Sequence, residues 1–137
     1  METLGVTATP YMTLLALSVV LLVFHVLLQG TLSTRELGRE WNAGPRDEGL
    51  APRDKFAGRA ARASKNFQET YPAFVGLLLG VAFARDASGW GLIGGWIWLI
   101  SRVVYIPLYM GGVPYIRSLV WTVSLIGLLA MTIALFR

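Results

Sequence analysis

Five polar side chains enter one segment at spacings suited to holding a small charged molecule. In "RAARASKNFQETYP" they are Arg59, Arg62, Lys65, Asn66 and Glu69. On a helix turning about 100° per residue, all five fall within an arc of roughly 120°. Three cations beside an amide suit a ligand with more than one carboxylate, because charge-assisted hydrogen bonds are the strong ones. Glu69 on the same arc calls for an ammonium or a similar donor. A γ-glutamyl tripeptide has that inventory, and so do other dicarboxylate amino compounds. A plainer role is open too. Basic residues at a membrane border anchor a helix by reaching headgroups, with Glu69 as their internal partner, although an anchor needs neither the amide nor the carboxylate on that face.

A second set lies in "RVVYIPLY". Tyr105 and Tyr109 follow Arg102 by three and seven residues and share its helical face. An arginine deep in an apolar segment is a functional candidate by default; its structural alternative is an ion pair with Glu69. His25, in "LVFHVLLQG", reads more simply as a hydrogen bond between helices. Trp90, Trp96, Trp98, Trp121 and Tyr11 need only interfacial or packing roles.

The elements that carry these residues follow from the hydropathy. The chain has 137 residues, 55% hydrophobic and 15% charged, with a mean hydropathy of +0.57. A soluble domain is about a quarter charged. The apolar residues gather into runs at Tyr11 to Leu28, Phe67 to Ala84, Leu92 to Met110 and Leu119 to Phe136. Each approaches the roughly 20 residues that cross a bilayer as a helix, and lipid leaves unpaired backbone no other choice. The expectation is an all-α, integral membrane four-helix bundle in a single domain over 1–137. Its helices should span about 11–29, 54–84, 91–111 and 116–136, with a loop over 30–53.

Asp54, behind Pro52, is the expected N-cap of the second helix. That helix would be about 45 Å long, exceeding the hydrocarbon core by about a third. Its first turns would enter the headgroup region while Lys65 and Glu69 lie deeper. The polar arc should therefore face other helices or a wet cavity, with Ala60, Ala61, Ala63 and Ser64 on a side that admits a close neighbour.

Charge and composition remove several classes. The net charge is +4, but in "TRELGREWNAGPRDEGLAPRDK" the signs alternate, as in a solvated loop and unlike a nucleic-acid surface. With no cysteine and one histidine, no thiolate chemistry or protein metal site is expected. No basic residue precedes the first run, which argues against a signal peptide. Arg35, Arg39, Arg46, Arg53, Lys55 and Arg117 flank one side, against Arg85 and Arg137 on the other. The positive-inside rule then puts loops one and three in the cytoplasm and both termini outside. The composition points to a bacterial inner membrane.

The second-helix residues resemble the Arg-x-x-Arg-x-x-x-Asn-x-x-Glu-x-x-Pro signature of the MAPEG superfamily, the membrane-associated proteins in eicosanoid and glutathione metabolism. Arg59, Arg62, Asn66, Glu69 and Pro72 match it; Arg102, Tyr105 and Tyr109 resemble its third-helix pattern, and "YIRS" the start of its fourth helix. The resemblance implies a homotrimer embedded in lipid, with glutathione as cosubstrate bound between neighbours near the cytoplasmic surface. Arg59, Arg62, Lys65, Asn66, Glu69, Arg102, Tyr105 and Tyr109 would bind it, with Arg117 and Ser118 at the catalytic positions. An arginine beside the thiol favours the thiolate, which would attack a hydrophobic electrophile or reduce a lipid hydroperoxide. Apolar residues of the first and fourth helices would line the lipid side. The family also contains a non-catalytic lipid-binding member, so a scaffold is the second reading. A small proton-coupled exporter is the third; it needs an embedded acid that exchanges protons, and the cations around Glu69 would keep it ionised.

Overall fold

A computed structural model describes residues 9–136. Residues 1–8, which hold most of the non-basic N-terminal lead, and Arg137, counted above in the charge contrast, lie outside the described residues. Among the described residues there are five helices and no strand: α1 Thr9–Leu37, α2 Arg39–Ala43, α3 Lys55–Phe83, α4 Trp90–Met110 and α5 Pro114–Leu135. Three of them, α1, α4 and α5, are long and apolar enough to cross a membrane. The expected fourth, α3, forms over 29 residues but is less apolar, because its polar arc occupies the first half.

The first helix runs on to Leu37 instead of stopping near residue 29, and α2 occupies part of the expected loop. Apolarity marks how deep a segment lies, not where a helix ends. Thr31, Ser33 and Thr34 are polar but compatible with a helix, and the stop is Gly38, whose φ of +96° no helical residue adopts. The chain then returns to α1 before α3 begins. The Glu36 carboxylate accepts the Arg53 and Asp54 backbone N–H groups at 2.6 and 3.1 Å. Asp54 is the N-cap that its position behind Pro52 predicts, accepting from Phe56 and Ala57 N–H at 3.1 and 3.0 Å. These bonds fix where α3 starts, and so where Arg59 and Arg62 stand.

The long helices meet around α3, which contacts α1, α4 and α5. Ala57, Ala60, Ala63 and Ser64 are buried on its inner side, as small residues that admit a close neighbour should be. Further along, Phe67, Phe74, Leu78 and Val81 are buried against Leu14 and Leu21 of α1, Trp98 of α4 and Met131 of α5. Trp98 stacks on Phe74 with centroids 4.0 Å apart. Ser18 and Tyr71 share a hydroxyl hydrogen bond of 3.0 Å between α1 and α3.

The closest approach is between α4 and α5. A Cβ added at Gly94 would lie 2.5 Å from the Gly127 carbonyl oxygen, and one at Gly127 would lie 2.6 Å from the Gly94 oxygen. The two backbones touch where neither residue has a side chain.

Candidate functional site

At one end of the helices, three arginines line one pocket, and two of them lie against the same phenol. Arg59 and Arg62 come from the second and third turns of α3, Tyr109 from the last turn of α4, and Arg117 from the first turn of α5. With Gly112 and Pro114 they line a pocket of about 190 Å³. The Arg62 Nε–H donates to the Tyr109 hydroxyl at 3.3 Å, and the Arg117 guanidinium lies 4.9 Å from the Tyr109 ring centroid. Arg59 donates to the Met110 carbonyl at 2.9 Å, which ties α3 to the C-terminus of α4. The lining contains no acidic residue. Such a pocket attracts anions, and carboxylates suit its guanidinium groups best.

Gly112 and the Met110 carbonyl are contributors that sequence reasoning missed. Gly112 has φ +70°, and a Cβ there would lie 2.7 Å from Arg59 Nη2. The backbone angle there favours glycine, and a side chain would push the tip of Arg59 aside. The signal in the sequence is the glycine pair of "MGGVP", which reads as a turn but does not reveal what it abuts.

The other expected site residues stand elsewhere. Lys65 and Glu69 are exposed and Asn66 is half-buried. Glu69 lies two turns beyond Arg62, about 10 Å along the axis. The sequence has the polar arc facing other helices. Within one chain it does so only in part, because Arg62, Lys65 and Glu69 lie on the outward side of α3 together with Pro72 and Gly76. Ser118 is exposed, its hydroxyl donating to the Pro114 carbonyl at 3.4 Å in its own helix.

Arg102 and Tyr105 are fully buried and do not line the arginine pocket. The Arg102 guanidinium sits 4.4 Å from the Tyr105 ring centroid, and none of its three nitrogens has a hydrogen-bond partner. The alternative of an Arg102–Glu69 ion pair is therefore not formed here. His25 is buried against the Phe67 ring at 4.8 Å with Nε2 unpartnered, so the expected interhelical hydrogen bond is not made by that nitrogen.

An apolar groove of about 600 Å³ opens between α1 and α4, with Leu17, Leu21, Phe24, Leu99, Val103 and Pro107 among its walls. The resemblance implies a lipid side on the first and fourth long helices; this groove uses the first and third. Among the described residues, no group of three or more His, Asp or Glu side chains is placed to hold a metal.

Helices of this length and apolarity define a polytopic α-helical membrane protein, with a cationic pocket at one end. The sequence model of the MAPEG family matches residues 11–137, nearly the whole chain, and the chain belongs to that family. The family includes glutathione-dependent enzymes and its members are generally oligomeric. No curated protein and no solved structure matches the chain.

Proposed function

We propose that this protein is a glutathione-dependent membrane enzyme, a transferase or peroxidase acting on hydrophobic electrophiles or lipid hydroperoxides. The observation that carries the reading is that Arg59, Arg62 and Arg117 line, with Tyr109, a pocket free of acidic side chains. In this reading Arg59 and Arg62 bind glutathione carboxylates. Arg117 holds the sulfur as thiolate, since a thiol of pKa about 8.5 is mostly protonated at neutral pH without a nearby cation. The thiolate then attacks the electrophile, or displaces alcohol from a hydroperoxide to leave a sulfenic acid that a second thiol reduces.

The pocket's size bears on assembly. About 190 Å³ falls short of the roughly 300 Å³ at which small-molecule sites begin, so a tripeptide needs a further wall. Lys65 and Glu69, exposed on the same helix, would form part of a wall that a neighbouring subunit completes. Charges on the outer side of a helix set among apolar ones are poorly placed against lipid. Both points support an oligomer with the site between neighbours, which in this reading is a homotrimer of four-helix subunits. Loops one and three lie in the cytoplasm in this reading, in a bacterial inner membrane.

A non-catalytic, lipid-binding scaffold is the second reading, favoured by the apolar groove between α1 and α4. Glutathione titration of the detergent-purified protein, following heat and thiolate ultraviolet absorbance together, separates the two. The enzyme reading expects saturable binding, weakened in Glu69→Ala, and thiolate absorbance lost in Arg117→Ala. No saturable binding in the parent would refute it.

A further inference from the structure

We propose that the interior between the helices holds a small monovalent anion of halide size beside Arg102, at a site separate from the arginine pocket. The ring of Phe67 is the hub. His25 of α1 lies tilted against it at 4.8 Å, Trp98 of α4 lies 5.4 Å away, and the Arg102 guanidinium 5.6 Å. Asn66 and Thr70 flank Phe67 on α3, four residues apart and on one side of it.

Four of these residues carry a buried, unpartnered atom that is able to donate: His25 Nε2, Thr70 Oγ1, Trp98 Nε1, and the Nε, Nη1 and Nη2 of Arg102. The unpartnered Asn66 Oδ1 only accepts and stands outside an anion's shell. Buried polar groups are ordinarily paired, and a cluster of exceptions on three helices calls for a shared partner. Arg102 is 0% exposed within one chain, so no neighbouring subunit can reach it and the partner must lie inside.

The chemistry selects the partner. Guanidinium and indole N–H groups only donate, and the threonine hydroxyl is able to, so the cluster is rich in donors. Internal water would satisfy N–H groups but bring no countercharge to the buried guanidinium. The faces of Tyr105 and Phe67 offset only part of it. A small anion supplies both the acceptor and the countercharge. Glu69, the carboxylate whose charge reaches Arg102, is exposed on α3 and accepts no hydrogen bond from the guanidinium.

The site rests on residues other than those of the arginine pocket, so its failure would leave the glutathione reading standing. The test is diffraction from crystals of the intact protein grown in bromide, with data collected at the bromine absorption edge. Thermal unfolding in chloride, bromide and gluconate at matched ionic strength accompanies it. The expected result is an anomalous peak within hydrogen-bonding reach of Arg102 that persists when glutathione is saturating. The unfolding temperature should also rise by equal steps for each tenfold increase in halide, and not with gluconate. That rise should be absent in Arg102→Met; should this variant not fold, the bromide peak in the parent decides alone. Water alone against the guanidinium, or the Glu69 carboxylate turned inward onto it, would overturn the proposal. Displacement of bromide by glutathione would overturn it as well, by making Arg102 part of the other site.

Discussion

Replacing Gly112 by alanine separates backbone strain from side-chain displacement, because the chain supplies its own control. Gly112 and Gly49 have nearly the same φ, +70° and +67°, but a Cβ on Gly49 meets nothing within 4 Å. One on Gly112 lies 2.7 Å from Arg59 Nη2 and 3.0 Å from its Cζ. The left-handed conformation costs an alanine about 1–2 kcal/mol at either position. Only at Gly112 must Arg59 also move, giving up its 2.9 Å hydrogen bond to the Met110 carbonyl. A bond to a charged donor is worth about 1.5–3 kcal/mol, discounted to about 1 because Arg59 is partly exposed to solvent. Gly49→Ala should therefore lose about 1–2 kcal/mol of stability with glutathione affinity intact. Gly112→Ala should lose about 2–3 kcal/mol and bind glutathione about tenfold more weakly, tenfold being about 1.4 kcal/mol. Denaturation in detergent and calorimetric titration of both variants measure the two quantities. Equal losses in the two variants, or unchanged affinity in Gly112→Ala, would refute the claim that this glycine sets the position of Arg59.

Three further outcomes follow from the geometry. Gly94→Ala or Gly127→Ala drives a methyl into a carbonyl oxygen 2.5–2.6 Å away and should cost at least the roughly 1–3 kcal/mol typical of overpacking, read as a lowered unfolding temperature. Asp54→Ala removes acceptors from two N–H groups and should cost about 1 kcal/mol, with faster hydrogen exchange at Phe56 and Ala57. Tyr109→Phe removes the acceptor of Arg62 while keeping the ring under Arg117. It should weaken glutathione binding about fivefold, equivalent to about 1 kcal/mol, and leave the thiolate absorbance at saturation unchanged.

Much of the fold was legible because hydrophobicity and helix length go together in a chain built for lipid. Runs of apolar residues placed α1, α4 and α5, and Asp54 behind Pro52 placed the start of α3. What hydropathy cannot give is a helix end lying in polar residues, which is why α1 passes its expected limit to Leu37 and α2 was unforeseen. Helical angle showed that Arg59, Arg62, Lys65, Asn66 and Glu69 share one side of α3. It did not show which neighbour that side meets, and nearly two turns of the helix separate Arg59, which binds the end of α4, from the outward Lys65. Arg102 illustrates the same gap. Its depth in an apolar run was plain from sequence, but its placement in the interior and away from the arginine pocket depends on how α3 and α4 cross.

The contact between Gly94 and Gly127 also bears on how a ligand could come and go. With backbone against backbone and only a short turn at Gly111 and Gly112 between them, α4 and α5 form a stiff pair, so Tyr109 and Arg117 travel together. Arg59 and Arg62 belong to a different body, the one built on α3. The two bodies are stitched at this end by the bonds from Arg59 to Met110 and from Arg62 to Tyr109. A ligand held by Arg59 and Arg62 on one body and by Arg117 on the other would add its own stitches to these, so binding would draw the two bodies together at the end where it enters.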